Sequence, residues 1–107
     1  MATTNAPSRE FSLDTDEVGA ILDSTEDARL VLGYTPRQAR GRSLPVMFSQ
    51  GGPTVTELQQ AIRGRFIDRD AVIQGRGQPI RVHYHIELAL SKQGGNRLVL
   101  RWTFERL

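Results

Sequence analysis

The sequence predicts an α+β domain of five strands and several short helices. Three observations predict it. Two C-terminal segments, Pro79 to Ser91 and Asn96 to Glu105, alternate apolar and polar residues. Two shorter stretches near the N-terminus, Glu10 to Asp14 and Val18 to Asp23, read as a strand pair. Between these groups lie brief helical stretches, most of them closed by glycine.

At 107 residues the chain supports one core. Hydrophobic residues make up 38% and charged residues 24%, ordinary values for a folded domain and against disorder of the whole chain. No apolar run approaches ~18 residues, so no transmembrane helix is expected. No basic stretch followed by an apolar core marks a secretory signal. Cysteine is absent, which removes disulfides, thiolate metal sites, thiol nucleophiles and thiol-linked chromophores. A cytoplasmic location is expected. Net charge is +2, and all cations but Lys92 are arginine. The arginines are spread along the chain among Asp and Glu, the pattern of a solvated surface. A nucleic-acid footprint needs a concentrated stripe. Binding through Arg37, Arg40, Arg42, Arg63 and Arg65 is therefore not expected.

Residues 1–9 are small and polar and read as a frayed leader. Glu10 to Asp14 is a strand, Asp14 to Glu17 a turn, and Val18 to Asp23 the partner strand of a hairpin. The first helix covers Thr25 to Leu32, capped by Ser24 or Thr25, with Glu26 and Asp27 in the turn where the dipole favours anions. Gly33 suits the left-handed residue that closes it. Pro36 starts a short helix through Arg40, and Gly41 ends it. Leu44 to Phe48 is another brief helical turn, and residues 50–53 form a loop. Thr54-Val55-Thr56-Glu57 is a capping box, opening a helix to Arg63 with Leu58, Ala61 and Ile62 inward and Gly64 as its stop. Phe66 to Gln74 is the third strand, Gly75 to Gln78 a turn, and the two alternating strands follow.

Parity sets the register of the last two strands. Opposed residues share a face, so the even-numbered apolar sets meet only if opposed positions sum to an even number. Lys92 opposite Asn96 leaves the loop Gln93-Gly94-Gly95. Leu90 then faces Leu98, Leu88 faces Leu100, Ile86 faces Trp102, and Tyr84 faces Phe104. On the other face Glu87 opposes Arg101 and His83 opposes Glu105, two opposite-charge pairs.

Strand, capped helix, Gly33-Tyr34-Thr35-Pro36-Arg37, then Gly41-Arg42-Ser43 and a later Arg76-Gly77 turn: this order resembles the PAS family of sensory and dimerisation modules, over about residues 10 to 107. The resemblance implies one antiparallel five-stranded sheet, with the two N-terminal strands in the middle beside the last one and helices over its concave face. It implies a part of a larger bacterial signalling protein, a histidine kinase or a transcriptional regulator, with an output domain beyond the C-terminus. Thr25 stands where the family often has Asn, and Trp102-Thr103-Phe104-Glu105 replaces the usual Asp-Ile-Thr ending. A cone-shaped fold of the ketosteroid-isomerase type is the structural alternative, but it puts longer helices first than residues 1–24 supply.

Within that frame the inner-face residues Phe48, Leu58, Ile62, Tyr84, Ile86, Leu88, Leu100 and Trp102 are core first and candidate ligand-pocket lining second, with Arg63 reaching in from the helix end. A specific small-molecule site needs convergent polar anchors, and Tyr84 is the one on the strands. A receptor domain with a defined cavity for an unknown small molecule is the alternative function. His83 and His85 lie at i and i+2 on the opposite face, solvated or at an interface rather than on a metal. Haem is disfavoured because residues 54–64 hold no His, and covalent flavin because there is no Cys. Homodimerisation through the outer sheet face is expected, using His83, His85, Ala89, Val99, Arg101 and Thr103. No serine has a His and carboxylate partner arrangement, so no enzyme is expected.

Overall fold

A computed structural model describes residues 10–91 and 96–107. The chain runs through β1 (Glu10–Thr15), β2 (Ile21–Ser24), α1 (Ala28–Leu32), α2 (Pro36–Ala39), a 3-10 turn (Pro45–Met47), β3 (Phe48–Gln50), α3 (Val55–Ala61), β4 (Ile67–Ile73), β5 (Ile80–Ser91) and β6 (Arg97–Arg106). The strands form one antiparallel sheet in the order β2-β1-β6-β5-β4-β3. The expected leader and the loop Lys92 to Gly95 lie outside the described residues.

The sheet has six strands rather than five. Phe48-Ser49-Gln50 leaves the 3-10 turn extended and pairs with β4 at Ile73 and Val72. A second correction concerns order. β1 is interior, but β2 is the sheet edge, not a middle strand. That edge is covered by its own chain: Ile21 donates to the Arg42 carbonyl at 2.8 Å and accepts from Gly41 N–H at 2.7 Å. Pairing consumed in this way leaves little edge free for another strand. β2 is also shorter than Val18 to Asp23. Asp16 draws residues 16–20 into a turn, its Oδ1 accepting from the Val18 and Ala20 N–H groups.

The helices follow their caps. α3 has the expected box: Thr54 Oγ1 accepts from Glu57 N–H at 3.0 Å, and Glu57 accepts from Thr54 N–H at 2.9 Å. It is regular only to Ala61, with a turn carrying the chain on to Gly64. α2 has a second box, on Thr35 and Gln38. α1 starts at Ala28, not Thr25, and has no side-chain cap. Thr25 is occupied elsewhere, its Oγ1 accepting from Ser12 N–H across the sheet edge. Gly33 closes α1 with φ 77°, as the left-handed position requires. Gly75 has a different reason to be glycine: it lies against the end of α1, where Arg76 N–H bonds the Leu32 carbonyl at 2.9 Å and a Cβ on Gly75 would strike that carbonyl.

The helices and the aromatic residues of the sheet enclose one core. Leu13, Ile21, Leu32, Leu44, Leu58, Ile73, Tyr84, Ile86, Leu100, Trp102 and Phe104 are all buried in it. The β5–β6 register is the one that parity predicts, residue for residue, from His83↔Glu105 to Leu90↔Leu98. The even-numbered face is buried only as far as the core reaches. Leu90 and Leu98 share its parity but are 52% and 59% exposed.

Candidate functional site

The hollow side of the sheet collects the pocket candidates. Tyr84, Ile86, Leu100 and Trp102 are fully buried, Leu58 is buried, and Phe48, Ile62 and Leu88 pack partly buried against them. Phe48 centres an aromatic group, its ring 5.1 Å from Tyr84, 6.0 Å from Trp102 and 6.1 Å from Phe104. Phe11 stacks on Phe104 at 4.8 Å. Such offset rings fill volume and add packing energy.

The polar side-chain atoms of this core have protein partners. Trp102 Nε1 donates to Thr15 Oγ1 at 2.8 Å, and Thr15 Oγ1 donates to the Asp16 carbonyl at 2.9 Å. The Tyr84 hydroxyl donates to the Gly51 carbonyl at 2.8 Å. Burial pushes the Tyr84 phenol up to about 12, so it stays a neutral donor. Among the described residues no buried side-chain nitrogen or oxygen lacks a partner. Arg63, expected to reach inward, is exposed at the end of α3. The cation facing this side is Arg69 on β4, opposite Tyr84 and ion-paired with Glu57. The Arg69 guanidinium holds the Glu57 carboxyl below its usual range.

The outer face is a charge lattice. His83 stands between Asp68 and Asp70 of β4, with its Nδ1 2.6 Å from Asp70 Oδ1 and its Nε2 paired with Asp68. The bond to Asp70 chiefly raises the His83 pKa, and Asp68 adds to it. Arg101 grips Asp14 of β1 through two bonds, Nε to Oδ1 at 2.9 Å and Nη2 to Oδ2 at 3.0 Å. Both residues were expected to pair along the β5–β6 ladder, His83 with Glu105 and Arg101 with Glu87. The opposition is there, but the bonds go to the strand on the other side, because each ladder has a second neighbour that offers a better-placed carboxylate.

His85 stacks on Phe66 with ring centroids 5.3 Å apart. Ala89 and Thr103 are half-buried on the same face. Val99 has the expected parity but is only 1% exposed, so it cannot serve as an exposed contact. It floors a cleft of about 260 Å³ whose walls include Leu22, Arg40 and Arg97. Histidine spacing alone did not reveal the His83 site. Its signal was Asp68 and Asp70, at i and i+2 on the adjoining strand.

No family model matches the sequence, and no curated protein matches it. Solved structures do match. The PAS domain of nitrogen regulation protein NR(II) from Vibrio parahaemolyticus superposes with TM-score 0.71 at 17% identity, over 92% of this chain and 89% of that one. A domain of the sensory box sensor histidine kinase/response regulator from Geobacter sulfurreducens gives 0.68 at 18% identity, over 92% and 82%. Drosophila melanogaster Cycle PAS-B with bound ethylene glycol gives 0.65 at 12% identity, over 91% and 99%. Strand order, helix placement and these superpositions agree that the described residues have the PAS fold.

Proposed function

We propose that the chain is a cytoplasmic sensory and protein-interaction module of a bacterial signalling protein, with a histidine kinase or a transcriptional regulator as parent. A ligand or partner shifts the population between two packings of neighbouring protomers through the outer sheet face, and β6 relays the shift to the output. The observation that carries this reading is the hollow side. It is filled by Phe48, Tyr84, Trp102 and Phe104, and the Tyr84 hydroxyl and the Trp102 indole N–H both have protein acceptors. A preformed receptor cavity needs free polar anchors there. Surface packing is then the better route for a signal, and β6 is well placed, lying between β1 and β5 in the sheet interior.

The outer-face dimer is tested by Thr103→Glu, which puts a charge at the middle of that face without touching the core. Light scattering at high concentration is expected to give a dimer for the parent and a lower mass for the variant. A parent that stays monomeric, or a dimer indifferent to the substitution, counts against it. A thermal-shift screen with small polar and apolar compounds addresses the receptor alternative, and saturable stabilisation by one of them would favour it.

A further inference from the structure

β5 outruns both of its neighbours. β4 begins at Ile67, opposite Ile86, and β1 ends at Thr15, opposite Leu100. Glu87 to Ser91 with Arg97 to Val99 is therefore a two-stranded arm with no third strand beside it among the described residues. The direction of its backbone groups follows from one bond. Leu107 N–H donates to the Arg81 carbonyl at 3.0 Å, so the odd residues of β5 turn their N–H and C=O toward β6. The even ones turn away. Tyr84 and Ile86 meet β4, but Leu88 and Leu90 face an open edge. β4 cannot extend to cover it, because Arg65 N–H is already bonded to the Gln60 carbonyl at 3.0 Å. The side chains beside this edge are apolar: Leu88 is half-buried, Leu90 is 52% exposed and Leu98, behind it, is 59% exposed.

We propose that this edge is a self-association site that pairs antiparallel with the same edge of a second copy. It is separate from the outer-face contact proposed above, since it extends the sheet sideways instead of stacking two sheets. Self-complementarity selects the occupant. Residues that point at the joint are even in both copies, so opposed positions sum to an even number. With the two-fold axis at Ala89, Leu88 faces Leu90 of the other copy and each such pair exchanges two backbone bonds. All four leucines fall on one side and the two Ala89 residues oppose each other on the other. Glu87 comes opposite Ser91, behind which stands Arg97, so no like charges meet directly. An unprotected, apolar strand edge is the surface on which another strand pairs most readily. The interface is small and the association correspondingly weak.

Ala89→Cys tests both the joint and its register. The parent chain has no cysteine. Alanines opposed in a non-hydrogen-bonded pair have Cα atoms about 4.5 Å apart, within the range a disulfide spans. Ala89→Cys is expected to form a covalent dimer on mild oxidation, faster than Glu87→Cys and faster than the outer-face control Thr103→Cys. Leu90→Lys placed on Ala89→Cys is expected to slow that cross-linking, and circular dichroism checks that the fold survives. Cross-linking at residue 89 no faster than at both controls would overturn the proposal. Cross-linking fastest at residue 103 would overturn it while leaving the outer-face dimer standing. Ala89 also lies on the outer face, so fast linking at residue 89 supports the edge only where Leu90→Lys slows it, and fast linking that Leu90→Lys leaves unchanged would overturn the edge as well.

Discussion

Trp102 and Thr15 are joined by a buried hydrogen bond, indole Nε1 to Oγ1 at 2.8 Å, between the central strand of the sheet and its neighbour. Trp102 lies directly opposite Leu13, so Thr15 is its diagonal neighbour on the same face. Both residues are fully buried. Thr15→Val keeps the shape and removes the acceptor, leaving the indole N–H unpaired inside the core. A loss of about 1–3 kcal/mol is expected. Urea unfolding checks it: the midpoint falls while the slope is unchanged. No change in midpoint would show that the indole finds another acceptor.

Gly75 should tolerate no side chain. Its Cβ would meet the Leu32 carbonyl, which is backbone and accepts from Arg76 N–H. Gly75→Ala is expected to cost about 1–3 kcal/mol, the range for overpacking. Gly77→Ala is the control, since nothing lies within 4 Å of a Cβ there. Thermal unfolding of the two variants side by side checks the difference, and equal stability would contradict it.

His83 makes the outer face pH-dependent. Its pKa is raised above 6.5 by Asp70 and then by Asp68, both on β4. Glu105 opposes it from β6, and Arg81 and His85 flank it on its own strand. The folded state therefore binds the proton more tightly than the unfolded chain does. The resulting stability is fully present below the unfolded value of about 6.5 and is lost as pH rises through the folded pKa. The pair is largely solvated, so the effect is small. The gap in melting temperature between the parent and His83→Gln is expected to narrow from about pH 6 to about pH 9. A proton NMR titration of His83 gives the pKa itself, and a value at or below the ordinary one would contradict this pairing.

Glu57 serves two partners, the Thr54 N–H at the start of α3 and the Arg69 guanidinium on β4. Glu57→Gln keeps the cap and removes the charge, whereas Glu57→Ala removes both. Alanine is expected to cost about 0.3–1.5 kcal/mol for the Glu57 side of the capping box and the pair in addition, with glutamine lying between alanine and the parent. The Glu57 pKa is lowered, so the charge contribution is present above the unfolded value of 4.5 and lost as pH falls through the folded one. Acid unfolding should show the parent and the glutamine variant converging at low pH. A gap that persists would assign the effect to packing.

Much of this fold was legible because strands report their faces with a period of two. The β5–β6 register followed from parity alone, and Thr54-x-x-Glu57 announced α3 through its own chemistry. β3 was not legible: Phe48-Ser49-Gln50 is too short to show a period and follows directly on a helical turn. The bonds Trp102–Thr15, Arg69–Glu57 and Arg101–Asp14 were not legible either. Trp102–Thr15 and Arg101–Asp14 join strands distant in the chain, whose order is not written in any local pattern, and Arg69–Glu57 joins the successive elements α3 and β4, whose relative orientation is not written there either. Val99 shows the same limit. Parity places it on the outer face, but it is buried there, beside a cleft that Leu22 and Arg40 of distant segments also line.

Trp102 is the sole tryptophan, so fluorescence excited at the red edge of the absorption band, where the two tyrosines do not absorb, reports on the hollow side of the sheet. If aromatic side chains fill that side, emission is blue-shifted, acrylamide quenches it weakly, and both properties persist until global unfolding. Red-shifted emission that acrylamide quenches freely in the native state would contradict the filled core on which the proposed function rests.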